Sequence, residues 1–235
     1  MITEVLILTK SRKHSNYCIA GINAWNGEWI RLEDENETCF LKETFMYPNG
    51  MTPRILETAI VDLGAKCGTT LQPENYKVKT ILGKGKACSR DIFYNRLKKD
   101  MDEHYHIFYD YSRKIEDGAL KKYDREKYSL MLIEPEEFYV CRNINMVGKI
   151  QYKAQIKYNG IIYSDLIITD IKYEEYLQKF DCLKTSPRYF RVQDRVYLVV
   201  SLGETFHNPN NCKDEHYKLV ASVITEKEIK KELIE

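Results

Sequence analysis

LTKSRKHSNYCIAGINAWNGEWIRLED, residues 8–34, is the stretch from which the fold is read. TEVLILT (3–9) runs into it as a short apolar segment and YCIAGI (17–22) is a second, with the polar, basic KSRKHSN (10–16) between them. This is a strand, loop, strand pattern. Asn26-Gly27 then stands between Trp25 and the alternating Glu28, Trp29, Ile30, Arg31 and Leu32. Both turn residues tolerate positive φ, so a tight hairpin is expected and the three strands form an antiparallel meander.

Beyond an irregular stretch around Pro48, Gly50 and Pro53, strand character resumes at ILETAIVDLGA (55–65) and NYKVKTIL (75–82), enough strands for one small barrel. Ser89 opens a segment in which Ile92, Phe93, Leu97 and Met101 recur at helical spacing, predicting a helix over about 90–102 with Ser89 as its cap. The charged DYSRKIEDGALKKYDREKYS (110–129) reads as an inter-domain connection, with a boundary near residue 125.

The second half repeats the strand habit in YSLMLIEP (128–135), in 137–171, in RVYLVVSLGE (195–204) and in YKLVASVI (217–224), with Asn159-Gly160 as another hairpin turn. KYEEYLQKF (172–180) predicts a short inserted helix. The expected fold class is mainly β, a β-rich α+β protein. It consists of two tandem OB-like five-stranded antiparallel barrels with short inserted helices, over residues 1–125 and 126–235.

At 235 residues the chain buries a core without metal or disulfide staples, and no cofactor or metal is expected. Its 36 Lys and Arg against 35 acids give a formal charge of +1, so any attraction to nucleic acid must be local. The seven cysteines are spread singly with no CxxC pair, which points to reduced thiols and a cytoplasmic location. Neither a signal peptide nor a run approaching 18 apolar residues is visible, so no membrane partner is expected. Eighteen Tyr beside 8 Phe and 2 Trp suit either a β-rich fold or a stacking platform.

Lys10, Ser11 and Lys13 with Tyr17-Cys18-Ile19-Ala20-Gly21, then Gly27-Glu28-Trp29-Ile30-Arg31, then Ser201-Leu202-Gly203-Glu204 and Tyr217-Lys218-Leu219 carry a family resemblance. On these residues the chain, from Thr3 to Ile224, resembles a family of bacterial proteins described as dual OB-fold-containing domains. The resemblance implies two OB-like barrels in tandem and a nucleic-acid-binding role; it carries over no catalytic residues, and Lys218 of its motif enters as a candidate nucleic-acid contact.

Lys10, Arg12, Lys13 and His14 lie in the loop between two strands, near Tyr17, while Arg31 ends a strand that carries Trp29. A cationic rim beside an aromatic face could hold phosphates by charge and bases by stacking; alternatively, Trp29 is core and the loop is an ordinary solvated connection. Lys149, Lys153 and Lys157 share one alternation parity and Tyr152 and Tyr158 the other, giving a basic outer face that would serve either a ligand or protection of a strand edge. Ser201, Gly203 and Glu204 follow the apolar VYLVV, where a turn approaching a ligand is expected.

Glu204, Asp165 or Asp170, and Lys218 could converge in a polar site or form a structural ion pair. His207, Cys212 and His216 have no recognised zinc spacing, and His104 and His106 read as surface residues. Gly83-Lys84-Gly85-Lys86 lacks the P-loop pattern. Three functional readings follow: a non-catalytic module binding single-stranded DNA or RNA; a domain that binds a protein partner; and an enzyme processing nucleotides or nucleic acids at the polar site. Oligomeric state is not legible.

Overall fold

The computed structural model describes residues 1–13, 15–120, 128–145, 147–180 and 188–235. The chain divides into two compact units, Met1–Lys99 together with Ile224–Glu235, and Asp100–Val223. The connection expected near residue 125 lies outside the described residues, as do His14 and Cys182.

In the first unit, β1 (Ile2–Lys13), β2 (Asn16–Asn23), β3 (Trp29–Asp34), β4 (Thr58–Lys66) and β5 (Asn75–Lys84) close a barrel in the order β1-β2-β3-β5-β4. Every pairing is antiparallel except that of β3 with β5, which runs parallel from Arg31 opposite Asn75 to Asp34 opposite Val78. Alternate residues fill the interior: Val5 and Ile7 of β1, Ile19 of β2, Ile30 and Leu32 of β3, Val61 and Leu63 of β4. Phe40, Phe45 and Tyr47 of the β3–β4 connection join the same core.

β1 has a register shift between Ile7 and Thr9, yet it stays paired with β2 as far as Lys13 opposite Asn16. The basic segment expected as a loop is therefore the paired end of a long hairpin, because the bulge lets the strand continue past its apolar run. Gly21 faces Ile7 in this pairing, and a Cβ there would stand 2.1 Å from the Leu6 carbonyl oxygen. The turn after β2 is wider than a two-residue hairpin. Only Gly27 is left-handed (φ +71°), and Asn23 closes the loop by accepting the Trp25 N–H at 2.8 Å on its side-chain oxygen.

α1 (Arg90–Glu103) follows, with the Ser89 hydroxyl accepting the Asp91 N–H at 3.1 Å. The terminal helix α4 (Glu226–Glu232) starts in a capping box in which Thr225 and Glu228 satisfy each other's backbone N–H groups. Past it, the Ile234 N–H donates to the Cys88 carbonyl and the Arg90 N–H to the Ile234 carbonyl, tying the C-terminus into the first unit.

The second unit contains β6 (Lys114–Glu116), α2 (Asp117–Leu120), β7 (Leu130–Ile133), β8 (Glu137–Ile144), β9 (Ile150–Tyr158), β10 (Ile161–Ile168), α3 (Ile171–Leu177) and β11 (Phe190–Arg191). Two long strands follow, β12 (Val196–Asn208) and β13 (Lys213–Thr225), the second reaching into the first unit. The strands form an eight-stranded sheet in the order β11-β8-β9-β10-β13-β12-β7, with β6 also on β13, so this half is broader than five strands. Asn159 (φ +48°) and Gly160 (φ +73°) are both left-handed and join β9 to β10 as a two-residue hairpin.

Candidate functional site

β1 carries Lys10, Arg12 and Lys13 to the end of the first hairpin, where Arg12 pairs opposite Tyr17 of β2. The Lys10 ammonium sits 4.7 Å from the centre of the half-buried Tyr17 ring and the Lys42 ammonium 5.7 Å from it. Tyr17 meets Phe45 edge-on at 6.1 Å, and Phe45 meets Phe40 at 5.2 Å. The Tyr17 and Phe40 backbones exchange two hydrogen bonds, at 2.8 and 2.9 Å, and the Lys13 amine donates to the Thr38 carbonyl. Three sequence-derived cations and Tyr17 thus stand together, joined by Lys42, Phe40 and Phe45. No local pattern points to those three, because the irregular β3–β4 connection brings them in.

Arg31 is a correction. Its alternation places it outside the barrel, but it is only 3% exposed. Its guanidinium is 3.3 Å from Glu74 and donates to the Cys18 sulfur at 3.1 Å. Beside it, Glu33 accepts from Asn75 at 2.7 Å and from Lys77 at 3.3 Å, and the Cys67 thiol lies 3.4 Å away. Burial pushes that thiol up, and Glu33 adds to the effect. The outer face of strands 2 and 3, through which OB barrels commonly take ligands, is filled here by a closed polar network. Trp29 is half-buried, with the Arg96 guanidinium of α1 5.8 Å from its ring, so it is neither barrel core nor an open platform.

In the second unit, Tyr152 and Tyr158 point inward as expected, and Lys153 and Lys157 lie on the other side. Their charge is matched locally: Lys153 pairs with Asp165 at 3.2 Å, and Lys157 with Glu136 at 3.2 Å and Glu137 at 3.5 Å. The outer face of β9 is therefore mixed in charge rather than basic, because carboxylates on and just before the flanking strands face the lysines. Lys149 is exposed just before β9.

Lys218 is also a correction. Its side chain is fully buried, with Nζ 2.7 Å from the Asp110 carbonyl, 2.8 Å from the Asp110 carboxylate and 3.1 Å from the Phe108 carbonyl. Burial pulls this amine down to about 8 against the pull of Asp110.

Ser201, Gly203 and Glu204 form no turn, since β12 continues through them to Asn208. Ser201 is buried and Glu204 exposed, while the Gly203 carbonyl meets His216 Nδ1 at 3.1 Å. The polar site expected around Glu204 is not assembled. Asp170 is buried as the cap of α3 and accepts the Tyr173 and Val223 N–H groups; Asp165 binds Lys153, and Lys218 binds Asp110.

His207 pairs with Asp214 at 2.9 Å and Cys212 is exposed, so these two and His216 have different surroundings. His104 stacks on Tyr128 at 3.8 Å, and His106 contacts the Tyr163 hydroxyl. Gly83 and Lys84 are the end of β5 rather than part of a loop, and Lys84 pairs with Glu57, just before β4, at 2.8 Å.

The class these features define is a strand-rich protein built on a closed five-stranded barrel of OB type followed by a larger sheet. The protein family described as Dual OB-containing domain matches residues 3–223. The chain belongs to that family. No curated protein and no solved structure matches it. Among the described residues, no helix is long and apolar enough to cross a membrane.

Proposed function

We propose that the chain is a nucleic-acid-binding module for single-stranded DNA or RNA, with the end of the β1–β2 hairpin as its contact surface. The observation that supports this reading most is the Tyr17 ring with the Lys10 and Lys42 ammoniums 4.7 and 5.7 Å from its centre and Arg12 exposed on the same hairpin. The contact of a lysine with a partly exposed ring is worth only about 0.5–1 kcal/mol. It can turn to a phosphate and leave the ring to a base, whose stacking is worth about 1–3 kcal/mol.

Loop 1–2 of an OB barrel is a usual contact for oligomers, and in this chain the hairpin end occupies that place. Arg31 and Lys218 take no part in this reading. The six free cysteines among the described residues favour a reducing, cytoplasmic setting.

Fluorescence anisotropy of labelled single-stranded DNA and RNA 12-mers across a salt series tests the proposal. With three or four phosphates neutralised, log Kd against log salt should rise with a slope of about 2–3, and each of Lys10→Ala, Arg12→Ala and Lys42→Ala should remove about 0.7 of it. Tyr17→Leu should weaken binding roughly 5- to 150-fold. Absence of saturable binding at 50 mM salt, or an unchanged slope in the triple variant, refutes the reading.

A further inference from the structure

A separate feature of the first unit is an open groove of about 560 Å³ along β5. β5 is paired with β4 on one flank. On the other it is paired with β3 only as far as Val78, because β3 ends at Asp34. Beyond that point Lys79 and Thr80 are exposed and, with Ile81, line the groove. From the β3–β4 connection come Glu35 and Glu37, both exposed, and the apolar Phe40 and Met46. The nearby Asp34 carboxylate is already engaged, accepting the Leu41 N–H at 2.6 Å and the Thr44 hydroxyl at 2.8 Å. The acids that remain to meet a ligand are Glu35 and Glu37.

We propose that this groove docks an extended basic segment of a partner protein, which adds a strand to β5 beyond Val78. A strand flank that loses its neighbour partway presents backbone groups for pairing, the basis of peptide recognition by strand addition. Side chains of an added strand alternate in direction. One row would set Lys or Arg against Glu35 and Glu37, and the other would lay an apolar group on the exposed Met46, whose flexible thioether adapts to varied shapes.

Charge decides the class of partner. Asp34, Glu35 and Glu37 outnumber Lys79 among the lining residues, and the neighbouring Lys77, whose amine meets the Asp34 and Glu37 carbonyls, is paired with Glu33, so the groove favours a cationic chain over a phosphate. The inference goes beyond the proposed nucleic-acid contact and does not depend on it.

The test uses the full chain and a fluorescein-labelled nine-residue peptide of alternating Lys and Val. The expected result is saturable binding, weakened at least tenfold in the Glu35→Gln, Glu37→Gln double variant. Binding should be lost to a peptide N-methylated at alternate residues, which cannot pair with a strand edge, and to a peptide with Glu in place of Lys.

Both substitutions are at exposed positions, and an unchanged thermal midpoint verifies the fold. The N-methylated peptide against the unsubstituted chain decides the matter independently. No saturation by the Lys-Val peptide, full affinity in the double variant or full affinity of the N-methylated peptide overturns the proposal. So does displacement of the peptide by a single-stranded oligonucleotide, which would put both ligands on one surface.

Discussion

Lys218→Met separates a cation buried for structure from one held for a ligand. The Lys218 amine binds the Phe108 and Asp110 carbonyls and the Asp110 carboxylate, and lies 5.3 Å from the Tyr163 ring. It thereby pins Phe108 (φ +46°) and Tyr109 (φ +39°), two successive left-handed residues that cost on the order of 1–3 kcal/mol each. Burial lowers the amine from 10.5 to about 8. The unfolded chain thus holds this proton more tightly, and the stability linked to the group is complete only above pH 10.5 and is lost as pH falls through 8. Each tenfold difference in proton affinity is worth about 1.4 kcal/mol, so the whole span is about 3 kcal/mol, of which about 1 kcal/mol falls between pH 7 and 9.

Methionine abolishes that pH dependence and leaves two carbonyls without their donor, at about 1–3 kcal/mol each, against relief of the burial cost. The net expectation is destabilisation by about 1–3 kcal/mol at pH 7 and about 1 kcal/mol more at pH 9. Urea unfolding of both proteins at pH 7, 8 and 9 measures it. A difference that does not grow with pH refutes the buried-amine account, and unchanged stability with lost oligonucleotide binding would make Lys218 a surface contact after all.

Arg31→Met removes the cation beside the buried Glu74 carboxylate and should destabilise the first unit by about 3–5 kcal/mol in denaturant titrations; a loss below about 1 kcal/mol would mean that the pair is solvated. Gly21→Ala drives a methyl into the Leu6 carbonyl and should cost at least about 1–3 kcal/mol by calorimetry, with no loss at all counting against the β1–β2 register. Burial acts to raise the Glu215 carboxyl, but Lys114, Asn211 and Asn208 overcome it and hold the group at about 2. Its stabilisation is therefore present above pH 4.5 and lost as pH falls towards 2. Glu215→Gln should cut the acid-side slope by up to about 1.4 kcal/mol per pH unit, and an identical slope in the variant would contradict the assignment.

The meander of the first three strands was open to reading because apolar runs and a Gly-containing turn are local signals. So was the inward parity of Tyr152 and Tyr158 on β9. What resisted reading was pairing partners. Arg31 looks like a strand-end surface cation until Glu74, 43 residues on, is brought beside it, and Lys153 looks basic until Asp165 faces it. The SLGE string looked like a strand end because apolar residues stop there, whereas β12 continues as an exposed strand beside β13. Lys42 and Phe45 belong to no periodic segment and join Tyr17 only through tertiary packing.

The final segment, Ile224–Glu235, belongs to the unit that begins at Met1, with Asp100–Val223 intervening in the chain. During synthesis Met1–Lys99 cannot complete its unit until Ile224–Glu235 has been made, whereas the intervening unit has all its residues beforehand. A released chain shortened to end at residue 223 should accordingly protect its middle from protease better than its beginning, an inversion of the usual N-to-C order of maturation.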